Sequence, residues 1–482
     1  MNIVLISTYE LGRQPFGLAS PASWLRSRGH EVLSLDLTRE SMNENAIRAA
    51  GLIAFYVPMH TATRLAVGLI DSVVQMNAAA HCCFYGLYAP VNEQYLRGLG
   101  VGTILGGEFE EGLVSLAERL SRAPVRGNGT AAQSEPVISL ARQKFLVPDR
   151  SNMPPLEKYA RIVMPGGEQR VAGSTEATRG CKHLCRHCPI VPVYNGAFRA
   201  IERDVVLEDI RRQVGAGAQH ITFGDPDFFN GPAHSLAIVE ALHREFPHLS
   251  YDVTIKIEHL KKHHAHLATL RNTGCLFVIS AVESVDDAVL EKFDKGHTRA
   301  DFLAVAQRFR ELGMTLLPTF VPFTPWTTIE GYLDLLDTIA RENLCENVAP
   351  IQLAIRLLIP AGSRLMELPE VRAFVQPFDS AALVFPWTHS DPRVDALCRE
   401  VSNLVQRGDS LKLSRTEIFS HIRRAARASA GIRAPLDSER STAPVRVPFL
   451  DEPWYCCAEP MDRQFVSIGK ATPDFAKADQ FV

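Results

Sequence analysis

Strand and helix signals alternate along most of this 482-residue chain, in two separate runs. A chain patterned this way pairs its strands in parallel, because each helix returns the backbone to the same edge of the sheet. In the first run the strand signals are Ile3 to Ser7, Glu31 to Leu35, Leu52 to Val57, His81 to Gly86 and Thr103 to Gly107. Amphipathic stretches such as Pro21 to Arg28 and Ala62 to Met76 lie between them. Residues 1–122 therefore predict a Rossmann-like doubly wound parallel sheet. Ligands of such sheets sit at the carboxyl ends of strands, here the loops Thr8–Ser20, Pro58–Thr63, Leu87–Asn92 and Gly106–Glu110. A lone histidine in these loops, His60, reads as solvated.

Residues 123–167 read as a linker, because Arg126-Gly127-Asn128-Gly129-Thr130 has no face to bury. The second run spans residues 168–375. Its strand signals are Val171 to Ala177, His220 to Phe223, Tyr251 to Ile257, Leu276 to Ala281, Thr315 to Val321 and Ile351 to Leu358. They are rich in β-branched and aliphatic residues, as strands covered on both faces are. Six such units make a partial (βα)6 TIM-like barrel, so the fold class is α/β. The carboxyl ends of barrel strands collect active-site residues. That rule selects Gly224, Asp225, Asp227, Lys256, Glu258, Glu283, Ser284 and Arg356, with Lys256 and Glu258 expected on one side of their strand. The tract Lys261-Lys262-His263-His264-Ala265-His266 reads as a solvated helix face. Cys275 and Cys345 read as packing residues. Residues 376–482 form a C-terminal helical region (Arg393 to Gln406, Arg415 to Ala430) with a Cys-Cys tail.

The formal net charge of −3 gives no electrostatic case for nucleic acid or an anionic membrane. No apolar run approaches the roughly 20 residues that span a bilayer. The short apolar N-terminus reads as a first strand, not a signal peptide. Ten cysteines in a chain this long are not a disulfide scaffold, and a cytoplasmic location would keep them reduced.

Three of those cysteines fall in one loop, Arg179-Gly180-Cys181-Lys182-His183-Leu184-Cys185-Arg186-His187-Cys188. Thiolates are soft ligands suited to iron–sulfur clusters and zinc. Zinc sites more often use paired Cys-x2-Cys knuckles, and no second knuckle exists here. Three thiolates on a [4Fe–4S] cube leave one iron open to a small molecule. A structural zinc with a distant fourth ligand, or three buried thiols, are the alternatives.

The Cys-x3-Cys-x2-Cys loop, with Arg179-Gly180 before it and a parallel α/β pattern after it, resembles the radical S-adenosylmethionine (SAM) superfamily. The resemblance implies a [4Fe–4S] cluster on Cys181, Cys185 and Cys188, SAM on the open iron, and a reductant such as flavodoxin or ferredoxin. It also implies that Gly224, Asp225, Asp227, Lys256, Glu258, Glu283, Ser284 and Arg356 meet SAM, Arg356 at its carboxylate. The chain departs from the family pattern in lacking the common Gly-Gly-Glu after the strand ending at Phe223. The fragments Gly17-Leu18, Arg28-Gly29-His30-Glu31-Val32 and Gly106-Gly107-Glu108-Phe109-Glu110 resemble the cobalamin (B12)-binding domain upstream of many radical SAM cores. There is no Asp-x-His-x-x-Gly, so the histidine ligand of that motif has no counterpart; a domain without cofactor is the alternative.

The tail reads Pro453-Trp454-Tyr455-Cys456-Cys457-Ala458-Glu459-Pro460. Adjacent thiols rarely pair with each other, and they suit a soft ion or redox exchange. The string Cys-Cys-Ala-Glu-Pro resembles the radical SAM group named for its CUAEP/CCAEP tail. That resemblance implies catalytic roles for Cys456 and Cys457, presenting a thiophilic small molecule such as arsenite for transfer of the 3-amino-3-carboxypropyl group of SAM. A cobalamin-dependent radical SAM methyltransferase is the second expectation, and a metalloid-binding or sensing protein with a structural cluster the third.

Overall fold

The computed structural model describes residues 1–122, 134–432 and 446–452. In the N-terminal part, β1 (Asn2–Ser7), β2 (Glu31–Asp36), β3 (Leu52–Tyr56), β4 (His81–Tyr85) and β5 (Thr103–Gly107) form a parallel sheet with β6 (Ile138–Ser139). The order is β2-β1-β3-β4-β5-β6, so strand order reverses at β1. Strands β3 and β5 are buried throughout, which is why their sequences carry no polar alternation. The helix Phe16–Ser27 starts before the expected Pro21, and its first turn packs on Tyr56. A Cβ at Gly17 would lie 2.1 Å from the Tyr56 ring, so only glycine admits that approach. The stretch Ala62 to Met76 is two helices, His60–Val67 and Ile70–Met76, parted after Gly68. Glycine costs a helix interior about 1 kcal/mol.

The expected linker is not all connector. Besides β6, it contributes β7 (Arg161–Val163), which pairs antiparallel with β8 (Gln169–Thr175). After the short ribbon β9 (Thr178–Gly180) and β10 (Phe198–Ala200) come β11 (His220–Phe223), β12 (Ser250–Thr254), β13 (Cys275–Glu283) and β14 (Thr315–Phe320). These four and β8 run parallel in a curled half-barrel, ordered β14-β13-β12-β11-β8-β7-β15, where β15 is Phe449–Leu450.

Two barrel expectations are corrected. Ile351 to Leu358 is not a regular strand: Pro350–Leu353 is a 3-10 turn, and a lone parallel bridge, Phe323 to Arg356, marks the sixth position. Pro350 opens the turn, and Pro322 on the facing segment has no N–H for a ladder. The strand begun at Tyr251 stops at Thr254, because the helix Ile257–Lys262 begins with Lys256 as its N-cap. Lys256 and Glu258 thus flank a helix start and do not share a strand face. The C-terminal helices Pro392–Ser410 and Arg415–Ser429 pack on the barrel flank, where Arg423 meets Asp337 at 2.8 Å. Among the described residues no helix is long and apolar enough to cross a membrane.

Candidate active site at the cluster loop

The cysteine loop is fastened on both sides. Before it, Asp225 at the end of β11 accepts hydrogen bonds from Ala177 N (2.9 Å) and Thr178 Oγ1 (2.6 Å). Asn230 brackets Cys181, donating to Gly180 O at 3.1 Å and accepting from Lys182 N at 3.1 Å. Further on, Arg186 N donates to Phe293 O at 2.8 Å, and Arg364 donates to Leu184 O at 2.7 Å. Cys181, Cys185 and Cys188 are free of disulfides. Burial pushes the Cys181 and Cys188 thiols up to about 12, a penalty on the thiolate that a ligated cation reverses. Three unpaired thiols on a fixed loop fit a thiolate-held cluster. Cys181, His183 and Asp227 also place one donor atom each within 4.8 Å of one another. Because that trio shares Cys181, it competes with the three-thiol set and cannot be filled beside it.

Two groups of charge gather around the loop. In the first, the Asp227 carboxylate lies 2.8 Å from His259 Nδ1 and 3.4 Å from His183 Nε2, while His183 Nδ1 lies 3.4 Å from Glu258. These contacts are close but not aligned for hydrogen bonding, which leaves Asp227 Oδ2 buried without one. Burial would raise the Asp227 carboxyl; the two imidazoles outweigh it and hold it low. Lys256 donates to Glu258 at 3.0 Å. In the second group, Glu283 meets Lys295 at 3.3 Å and His187 at 3.2 Å. Burial opposes its ionisation, yet Lys295 and His187 lower it to about 2. Glu283 sits at a bulge of β13 with φ of 68°, a left-handed conformation that re-aims its side chain. Gly296 joins the groups: a Cβ there would lie 2.5 Å from Glu258 Oε2 and 3.6 Å from Lys256 Nζ. Next to it, His297 is buried with neither ring nitrogen hydrogen-bonded, and burial lowers its pKa to about 4.

Asp227, Lys256, Glu258 and Glu283 are thus brought together. Asp225 is instead an anchor of the loop, its carboxyl pushed up to about 7 by burial. Gly224 sits at the seam with the N-terminal part, near Arg13. Ser284 closes a turn by accepting from Asp286 N at 3.0 Å. Arg356 faces away from this group: it pairs with Asp395 at 2.6 Å and stacks on Trp387, because the missing sixth strand turns it toward the C-terminal helices. Cys456 and Cys457 lie outside the described residues. Sequence reasoning missed His183, His187, His259, Lys295 and His297. The first two stand inside the cysteine motif itself, and His259 lies two residues before the tract read as solvated. That tract is solvated at Lys261, Lys262 and His264, whereas His263 and His266 set their rings edge-on to Phe229.

The carboxyl edge of the N-terminal sheet abuts this site. Arg179, just before the loop, is buried among Glu110 (2.7 Å), Glu176 (2.8 Å) and Glu108 (3.5 Å). The rings of Phe16, Phe109 and Phe145 surround its guanidinium. His60 is fully buried at a helix start, ring against Tyr88, and is not solvated. Where strand order reverses, a crevice of about 110 Å³ is lined by Thr8, Tyr9, Gly12, Thr38, Arg39 and Glu452. Ser7 Oγ, Glu10 Oε2 and Arg39 Nε are buried along this edge with no hydrogen-bond partner. Orphaned polar atoms at a switch point fit the polar limbs of a bound cofactor.

Comparison with known proteins agrees with this geometry. Residues 175–336 match the Radical SAM superfamily. The chain is 26% identical over 327 residues to hopanoid C-3 methylase of Methylococcus capsulatus, covering 65% of this chain and 62% of that protein. It is 23% identical over 201 residues to bacteriochlorophyllide d C-12(1)-methyltransferase of Chlorobaculum tepidum, covering 41% of each. The chain therefore spans less than two thirds of these curated relatives. Among solved structures, the cobalamin-dependent SAM radical enzyme OxsB, with aqua-cobalamin and SAM bound, superposes with a TM-score of 0.68 at 13% identity, covering 89% of this chain and 71% of that one. The radical SAM methyltransferase TsrM from Kitasatospora setae, with tryptophan and a SAM analogue bound, gives 0.63 at 17% identity, covering 78% of each. With its three-cysteine loop at the mouth of a curled parallel sheet, this chain is an enzyme whose residues 175–336 match the Radical SAM superfamily, a match that implies a [4Fe–4S] cluster and SAM.

Proposed function

We propose that the chain is a cobalamin-dependent radical SAM methyltransferase. The observation that carries this reading is the Arg179 clasp on Glu108 and Glu110, which sets the ligand-binding edge of the N-terminal sheet against the cluster loop. Two cofactor-binding edges that face one another suit a reaction shared between two cofactors. The curated relatives named above are both methylases, and the solved structures include cobalamin complexes.

Cys181, Cys185 and Cys188 would hold the cluster. When bound, the cluster supplies an electron to the SAM sulfonium and the corrinoid carries a methyl group. The protein's own part is orientation and charge. Lys256 and Lys295 are buried cations suited to the SAM carboxylate, and Asp227, Glu258 and Glu283 are acceptors suited to its ammonium and hydroxyls. His297, neutral by burial, can accept or donate one hydrogen bond. Thr8, Tyr9, Glu10 and Arg39 would meet the polar limbs of the corrinoid. Anaerobic reconstitution with hydroxocobalamin, followed by gel filtration and absorption spectra, tests the reading. Co-eluting corrinoid supports it; loss of all corrinoid on the column sinks it.

Aminocarboxypropyl transfer to arsenite is a second reading, favoured only by the sequence Cys456-Cys457. None of the relatives named above points to arsenic. Its mark would be 5′-methylthioadenosine among the SAM products. A metalloid sensor with a structural cluster would leave SAM intact.

A further inference from the structure

A cavity of about 280 Å³ lies inside the curled sheet, walled by Phe277 and Ile279 of β13 and Leu317 of β14. That is close to the lower end of the sizes that hold small organic molecules. One wall residue is out of keeping with an apolar surface. Asp252, in the middle of β12, lines the cavity while only 2% exposed. Its carboxylate is held from behind at a single oxygen. His220 Nε2 donates to Oδ1 at 2.8 Å, and Thr222 Oγ1 donates to the same atom at 2.6 Å. His220 is itself fully buried, and its Nδ1 lies 2.9 Å from Ser250 Oγ, which fixes the ring at both nitrogens. Among the described residues no hydrogen bond reaches Asp252 Oδ2. That oxygen is left to the cavity.

A carboxylate taken out of water is costly to the fold unless its oxygens are met by donors or by opposite charge. The rest of the wall gives the sign of the partner. Carboxylates there (Asp252, Asp409, Asp451 and Glu452) outnumber guanidiniums (Arg13 and Arg415). Arg415 is also committed elsewhere: it stacks on Phe449 and donates to Glu346 O at 2.7 Å. We propose that this cavity binds an organic ammonium ion with an apolar body. Its N–H meets Asp252 Oδ2, and its body lies against Phe277, Ile279 and Leu317, where docking removes both surfaces from water. His220 and Thr222 are positioning residues, holding Oδ1 so that Oδ2 faces the ligand. The site is built from the barrel's own side chains and rests on neither the corrinoid nor the SAM reading.

The experiment titrates the full chain, with its cluster reconstituted, with 1-naphthylmethylamine, an ammonium ion at neutral pH. The comparison compound is 1-naphthalenemethanol, which has the same rings and no charge. Naphthyl fluorescence is expected to show the amine binding at least about tenfold more tightly than the alcohol. Asp252→Asn should abolish that preference while leaving the alcohol within about threefold of its original affinity. Thr319→Lys puts a cation on the cavity wall and leaves the Asp252 hydrogen bonds in place. It should weaken the amine by about tenfold or more even if the Asp252 variant fails to fold. Leu317→Trp, which fills the cavity, should weaken both compounds. The proposal is overturned by an absence of amine binding, by equal affinity for amine and alcohol, or by affinities that Leu317→Trp does not move. A preference for the amine that survives Asp252→Asn or Thr319→Lys overturns it as well.

Discussion

Arg179 donates to Glu110 at 2.9 Å across the seam between the N-terminal sheet and the cluster loop. Glu110 begins the helix that follows β5, and Arg179 stands two residues before Cys181. Both side chains are buried, and Glu108 and Glu176 share the guanidinium. The pair sets where the cluster loop begins relative to the first domain.

Arg179→Met leaves several carboxylates buried around one lost cation. Removing one partner of a buried pair costs about 3–5 kcal/mol. Urea unfolding should show a loss of that order, together with reduced iron retention after reconstitution. A loss below about 1 kcal/mol would show that the seam is wet and the pair incidental.

Above about pH 6.5, where the histidines that burial holds neutral no longer add stability, stability of the cofactor-free protein should fall as pH rises to 8. Burial raises Glu10 to about 8 and Glu108 and Asp225 to about 7, well above the ordinary carboxyl range. A carboxyl raised on folding contributes stability that is fully present below its unfolded value and lost as pH rises through its folded one. Glu10→Gln should flatten part of that decline and be more stable than the unsubstituted protein at pH 8. Urea midpoints across the range check both; a rising profile contradicts the account.

Gly296→Ala places a methyl 2.5 Å from Glu258 Oε2 at a residue with φ of 68°. The backbone strain costs on the order of 1 kcal/mol, while the displaced carboxylate disturbs Lys256. SAM affinity by equilibrium dialysis should fall about tenfold or more, with the thermal midpoint lowered only slightly. Unchanged affinity would remove the Lys256–Glu258 pair from the SAM site.

Iron content should separate the two cysteine sites. Ala at Cys181, Cys185 or Cys188 should abolish the reconstituted cluster absorbance, whereas Cys456→Ser with Cys457→Ser should leave it unchanged. Loss of iron in the tail variant would make the tail a cluster ligand.

The N-terminal strands were legible because buried parallel strands are written as short apolar runs between turns, and β1 to β5 fall within a residue or two of expectation. Ile351 to Leu358 misled because an apolar run says nothing of the N–H groups that Pro322 and Pro350 lack. The strand-end rule picked out Asp227, Lys256, Glu258 and Glu283, which the fold gathers around the cysteine loop, but it could not foresee that Arg356 would turn to Asp395, a residue 39 positions away. His187 and Lys295 escaped notice for a related reason: their importance lies in what they meet, Glu283, and the bulge that re-aims Glu283 has no sequence signature. Burial of His60 likewise comes from what it meets, the ring of Tyr88.

The most direct measurement is mass spectrometry of SAM products from reduced, cluster-reconstituted protein with and without hydroxocobalamin. A methyltransferase of this kind should form S-adenosylhomocysteine only in the corrinoid-loaded protein. 5′-Methylthioadenosine as the main product, formed whether or not corrinoid is present, would contradict it.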